Sequence, residues 1–254
     1  MPVKFPILGI NINPLAAREL LSLIDEAIVN HKKTAFFYAN AHAIVLTNEN
    51  PGFKQCINNA DYVYCDGFGV RFAAQILSYP PPPRITPPDW ISCFFQYCCE
   101  KRKRVFFLSA EQNVIEKAVK NVREEYQNID ICGFHHGYFD KSTGSLENNE
   151  MVKLINESCP DILVIGFGMP SQELWIEENK SDLNPFVFLP VGALFDHLSG
   201  NAKRLPKWMT DHGFEWLGRL FFEPKRLWNR YLIGLPKYFI LLLVEFFRKF
   251  KMEQ

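Results

Sequence analysis

The chain lacks any long hydrophobic run. Its longest apolar stretch without a charge covers residues 238–244, far short of the roughly 20 residues that a helix needs to span a bilayer. The opening MPVKFPILGININP has no charged segment followed by a continuous apolar one and a small-residue cleavage site, so no secretory leader is expected and the chain should stay on the cytoplasmic side. Cysteine is present but unpatterned: the seven are odd in number and include no CxxC, which gives neither a disulfide framework nor a zinc spacing and fits reduced thiols. Net charge is absent too, with 28 Lys and Arg against 28 Asp and Glu, so the total gives no support to a nucleic-acid partner.

What is there is a composition able to pack a core, 48% hydrophobic and 22% charged. The neutral total hides an asymmetry. Residues 201–254 hold 11 Lys and Arg against 5 Asp and Glu, which leaves +6 there and −6 in residues 1–200. A basic tail of this kind suits an anionic surface.

Up to about residue 189, short apolar runs alternate with longer amphipathic segments, the rhythm of a layered α/β domain. Candidate strands cover 5–10, 35–39, 62–65, 105–109, 129–133, 162–165 and 186–189. Several are almost wholly apolar, as parallel strands covered on both faces are. Asn13 and Pro14 read as the cap and first residue of a helix over 15–30. The prolines at 80–83, 87 and 88 forbid a continuous helix there and predict an extended loop at a sheet edge or over a cleft. After Gly200 the strand signal stops, and aromatic and aliphatic residues interleave with Arg and Lys. Residues 1–200 therefore read as a Rossmann-like α/β domain with a mostly parallel sheet and helices on both faces. Residues 201–254 read as a helical appendage, either lying on a membrane surface or packed as a hairpin on the core.

Three constellations could carry chemistry. Asp66, in CDGFGV, follows the apolar run YVYC, which places a carboxylate at the carboxyl end of a strand, where ligands of open α/β sheets bind. There it could take a proton from an attacking hydroxyl, or simply cap a turn. In ILVIGFGMPSQELW a strand runs into Gly166 and Gly168 and then into a helix opened by Pro170, a turn that could admit a diphosphate to free amides. Ser171 stands where a dinucleotide fingerprint needs glycine or alanine, which weakens a nicotinamide reading. Gln172 lies in the first helical turn, where its amide could reach a ligand or face solvent. Arg84 sits in the proline-rich loop, where a guanidinium could clamp a diphosphate or remain a solvated surface group. His135 and His136 follow another strand with no third ligand at metal spacing. No Asp-x-Asp pair occurs in the chain, so a metal-independent mechanism, with no cofactor, is expected to rely on cationic side chains and helix dipoles.

Taken in order, YANAHAIVLTNENPGF, NNADYVYCDGFGV, RITPPDW, GFHHGYF, IGFGMPSQELW, VGALFDHLSGNAKRLPKWM, GFEWLGRL and EPKRLWNRYL resemble the WecG/TagA/CpsF glycosyltransferases over roughly residues 5–234. The resemblance implies inverting transfer of N-acetylmannosamine or its uronic acid from a UDP donor to C4 of N-acetylglucosamine on a polyprenyl diphosphate carrier. It implies Asp66 as general base, with Arg84 and Gln172 at the phosphates and sugar. Asn40 matches the asparagine beside the donor, and Gly137, Tyr138, Gly168 and Asp196 fall in segments that shape the donor pocket. It further implies a tail that docks on the inner face of the membrane and brings Arg219 and Arg226 to the diphosphates; homo-oligomer formation is left open.

Two departures touch the pocket: Tyr38 stands where many members carry threonine, and Thr86 is followed by two prolines where many carry Gly-Ser. Residues 235–254 read as an extension past the usual family end. A nucleotide-binding oxidoreductase, resting on the glycine turn, and a non-catalytic membrane-surface module, resting on the tail, are the competing classes. The second leaves Asp66 and the glycine turns unexplained.

Overall fold

A computed structural model describes residues 4–202, 206, 209, 213, 215–222 and 224–252. The elements in chain order are β1 (Phe5–Ile7), β2 (Ile10–Ile12), α1 (Ala17–Val29), β3 (Thr34–Ala39), α2 (Ala41–Glu49), α3 (Pro51–Asn59), β4 (Tyr62–Cys65), α4 (Phe68–Ile76), α5 (Pro87–Glu100), β5 (Arg104–Ser109), α6 (Gln112–Glu125) and β6 (Asp130–His135). They continue with α7 (Leu146–Glu157), β7 (Ile162–Gly166), α8 (Ser171–Asn179), β8 (Val187–Pro190) and α9 (Leu194–Leu198). The last are α10 (Glu215–Phe222), α11 (Pro224–Trp228), a π-helical turn (Asn229–Ile233) and α12 (Gly234–Met252).

Strands β3 to β8 form one sheet in the order β4-β3-β8-β7-β5-β6, and every neighbouring pair runs parallel. Strand alternation divides the apolar residues between two cores. In β3, Ala35, Phe37 and Ala39 face a cluster with α2, α3, α4, α7, α8 and α12, while Phe36 and Tyr38 face one with α1, α5, α6 and α9. The same split separates Leu163 and Ile165 from Ile162 and Val164 in β7. At about 1.5–3 kcal/mol for each large side chain fully buried, these two layers are the main favourable term in folding.

Two expectations fail locally. Residues 5–10 are not one strand: Leu8 and Gly9 take φ of 49° and 84°, and the chain reverses into an antiparallel β1–β2 hairpin outside the main sheet. Nor does Asn13 cap the first helix. It is buried, its backbone N–H donates to the Val63 carbonyl at 2.7 Å, and its side chain accepts from Val63 N–H at 2.9 Å. Asn13 thus satisfies the edge of β4, and α1 begins later, after Ala16, whose N–H is taken back by Glu19 at 2.7 Å. The proline segment is indeed non-helical until Thr86, where Pro87 and Pro88 open α5 without leaving an amide unsatisfied.

In the basic segment, α12 packs one face against α2, burying Tyr238 and Leu242 in the core. Tyr238 Oη donates to Gly69 O at 2.7 Å; Lys237 pairs with Glu49, and Lys249 donates to Leu77 O. The other face leaves Phe239, Ile240, Leu243, Val244, Phe247 and Phe250 about half exposed. Among the described residues no helix is long and apolar enough to cross a membrane.

Candidate active site

The order of the strands decides where a site can form. From β3 the chain moves outward to β4, whereas β8 arrives beside β3 from the opposite half, so the crevice of the sheet lies at the carboxyl ends of β3 and β8. A cavity of about 600 Å³ occupies that place; its wall includes Tyr38, Asn40, Asp66, Gly168, Gly192 and Arg230.

Asn40 ends β3 and caps α2, its Oδ1 accepting from the N–H groups of His42 and Ala43 at 3.0 and 3.1 Å. This leaves its amide nitrogen to donate to Asp66 Oδ2 at 2.9 Å. The Asp66 N–H donates to Ala39 O at 2.8 Å, continuing the β3–β4 ladder one residue beyond the strands. Gly67 then turns the chain into α4 with φ of 90°, a conformation that costs a side chain dearly. Asp66 is thereby held by backbone on one side and by Asn40 on the other, with one carboxylate oxygen oriented and the group lining the cavity.

On the opposite wall, Gln172 is fully buried, which excludes an exposed polar role. Its Oε1 accepts from Gly168 N–H at 3.2 Å and Gly192 N–H at 3.1 Å, and its Nε2 donates to Glu173 Oε1 at 2.7 Å and Tyr38 Oη at 3.2 Å. One amide therefore ties the loops after β7 and β8 to β3. It also engages the two glycine N–H groups, so the glycine turn shapes the cavity instead of presenting those two donors to a phosphate. A Cβ on Gly192 would lie 2.7 Å from Tyr38 Oη; Tyr38 and Gly192 are matched in size. Burial, reinforced by Glu173 and Asp66, raises the Tyr38 phenol well above its ordinary range and keeps it a donor.

Next to this cavity lies a smaller one of about 360 Å³, lined by Tyr138, Gly166, Gly168, Gly192 and Asp196 among others. Gly137 N–H donates to Ala110 O at 2.9 Å, and a Cβ there would meet the Phe167 ring at 2.8 Å. The preceding histidines fix this loop: His135 Nδ1 lies 2.9 Å from His136 O, and His136 Nδ1 accepts from Tyr138 N–H at 3.2 Å. Among the described residues no group of three or more His, Cys, Asp and Glu could hold a metal ion.

Arg84 is not a solvated surface group. Its side chain is 13% exposed, lies 3.4 Å from Asp89 Oδ2 and stacks 5.7 Å from the centroid of Phe68. The next residue, Ile85, donates to Cys65 O at 3.0 Å, so the arginine is pinned beside the strand that carries Asp66. The backbones of Arg219 and Arg226 lie in α10 and α11, but their side chains fall outside the described residues.

Sequence reasoning missed three polar groups here. Arg230 and His42 line the main cavity, and burial together with Arg230 depresses the His42 imidazole to about 4. Glu173 is fully buried, its Oε2 has no hydrogen-bond partner among the described residues, and burial raises its carboxyl to about 7. Arg230 lies in the motif EPKRLWNRYL, but no helical periodicity could mark it because it sits within the π-helical turn. Glu173 followed Gln172 in the sequence, with no signal that both point inward.

A strand-end acid on the wall of a glycine-lined cavity in a parallel α/β sheet marks the crevice in which proteins of this architecture bind ligands. The chain belongs to the WecG/TagA/CpsF glycosyl transferase family, whose sequence pattern matches residues 5–252. That extent places α12 within the family pattern and corrects the expectation that residues 235–254 extend past it. Among relatives named N-acetylglucosaminyldiphosphoundecaprenol N-acetyl-beta-D-mannosaminyltransferase, one from Bacillus subtilis is 31% identical over 234 residues, covering 85% of this chain and 88% of its own. One from Bacillus spizizenii is 29% identical over 230 residues, 86% of each chain, and one from Staphylococcus aureus is 28% identical over 226 residues, 88% of this chain and 87% of its own.

Proposed function

We propose that this chain transfers an N-acetylmannosamine-type sugar from a UDP donor to the C4 hydroxyl of N-acetylglucosamine on a polyprenyl diphosphate, with inversion, in cell-surface polysaccharide synthesis. The single observation that carries the reading is the Asp66 carboxylate, oriented by Asn40 at 2.9 Å on the wall of the crevice cavity. The names of the relatives support the acceptor and the transferred sugar.

In this reading the acceptor hydroxyl oxygen attacks the anomeric carbon from the face opposite UDP, and Asp66 takes the hydroxyl proton as the new C–O bond forms. The bond to UDP breaks with its electron pair leaving on the diphosphate. Arg84, Arg219, Arg226 and Arg230 are the cations available to that growing charge, a kind of stabilisation often worth several kcal/mol. Gly137, Tyr138, Gly168 and Asp196 border the nucleotide side. Gln172 acts by holding Tyr38 and both glycine loops in register, which makes it a positioning residue. Residues 1–200 supply the chemistry, and residues 201–254 seat the enzyme on the anionic cytoplasmic face of the membrane.

The test is UDP release by the purified chain, offered a panel of UDP sugars with and without a lipid diphosphate N-acetylglucosamine acceptor, with EDTA present. Acceptor-dependent release from UDP-N-acetylmannosamine is expected. Release from a different donor alone would move the sugar specificity to Tyr38 and its neighbours. No release from any donor by folded protein would overturn the reading.

A further inference from the structure

A second cavity opens from the first. It measures about 400 Å³, lies between α4 and the C-terminal segment, and shares Asn40, His42, Asp66 and Arg230 with the crevice cavity. Away from these residues its wall changes character to Phe68, Phe72, Trp216, Tyr231, Leu235 and Phe239. The rings are paired, Phe72 with Phe239 at 6.3 Å and Trp216 with Tyr231 at 6.0 Å. Phe72 and Phe239 nonetheless remain 43% and 48% exposed.

One guanidinium group stands at this junction and a second lies against its apolar wall. Arg230 lines both cavities, and Arg84 stacks on Phe68 of the apolar wall. Beyond Phe239, the exposed apolar face of α12 continues through Leu243, Phe247 and Phe250. A carboxylate and a guanidinium thus stand together where an aromatic trough begins.

Resting on the proposed transferase reading, we infer that the trough binds the isoprenoid chain of the acceptor next to its diphosphate. The acceptor joins three parts that match these features: a sugar hydroxyl, a diphosphate and a branched hydrocarbon. A membrane acyl chain offers no hydroxyl to Asp66 and no diphosphate to the arginines. Binding the first isoprene units would draw the lipid out of the bilayer along α12 and deliver the sugar to the base.

The experiment uses farnesyl diphosphate, which has the diphosphate and three isoprene units but no sugar, against inorganic diphosphate and a straight-chain alkyl diphosphate. Binding to the full chain is read by calorimetry without membranes and below any critical micelle concentration. Farnesyl diphosphate should bind at least about tenfold more tightly than inorganic diphosphate, a modest return for several buried methylenes. Phe72→Ser and Phe239→Ser should each cut that ratio severalfold, with circular dichroism confirming the fold. Equal affinity for farnesyl and inorganic diphosphate, or a ratio indifferent to both substitutions, would overturn the inference. So would equal binding of the straight-chain probe, which assigns the trough to acyl chains. Because no sugar is involved, a chain preference without UDP release would sink the transferase reading alone, and turnover without chain preference would sink the trough alone.

Discussion

At the ends of β3 and β4 the polar groups face the cavity, whereas at the ends of β7 and β8 they face one another. Asp66 accepts from the Asn40 amide and remains on the cavity wall. Gln172 is buried and bonds to two glycine amides, Tyr38 and Glu173. The first arrangement keeps a carboxylate on the cavity wall, and the second fixes the spacing of the loops around it. Burial raises the Glu173 carboxyl to about 7, so that it loses its charge near neutral pH. The molecule separates the carboxylate on the cavity wall from the groups that hold the frame.

Substitutions on the two sides should fail differently. Asp66→Asn should lose at least about 10²-fold in turnover with donor affinity largely kept, because the amide retains the shape but cannot accept the proton; steady-state rates and donor titration check both. Near-normal turnover would remove Asp66 from the role of base. Gln172→Leu should instead destabilise the fold by roughly 2–4 kcal/mol, since it strands buried glycine amides that each cost about 1–3 kcal/mol unpaired. Urea unfolding reads this directly, and an unchanged midpoint would show the two loops to be held by other means.

Glu173 sharpens the comparison through pH. Its folded carboxyl lies at about 7 against an ordinary 4.5, so between those values the folded chain binds more protons than the unfolded one, and stability falls as pH rises through the window. The full effect is of order 3 kcal/mol. His42, depressed from 6.5 to about 4, acts with the opposite sign, losing stability as pH falls through its own window. The difference between wild type and Glu173→Gln therefore isolates the carboxyl, and that difference should grow from pH 4.5 to 7 and level off above. The smallest effect expected is on the tail: Tyr238→Phe removes the bond to Gly69 O and should cost about 1 kcal/mol, read as earlier proteolysis or exchange of α12.

Much of the fold was legible because parallel strands buried on both faces read as apolar runs, and six of the seven candidate runs lie in the sheet. The run at 5–10 misled because hydropathy does not register a reversal at Leu8–Gly9. Asn13 misled because a favoured capping residue also makes a good partner for a strand edge, and the choice depends on β4, 50 residues away. The place of Asp66 at the end of β4 was legible because a carboxylate following an apolar run is a local signal. Glu173 and Arg230 were not, because one is defined by burial and the other by how the C-terminal segment folds back.

The sequence by itself determined the alternation of strands and helices, the carboxylate after β4, the glycine turn after β7 and the family to which they belong, since each is written in contiguous residues. Tertiary structure decided that β8 arrives beside β3 and so opens the crevice. It decided that Gln172 turns inward between two glycine loops, and that α12 returns to cover α2 while leaving an aromatic trough beside Asp66. These are contacts between residues far apart in the chain, whose burial and pairing only the packed sheet and helices fix.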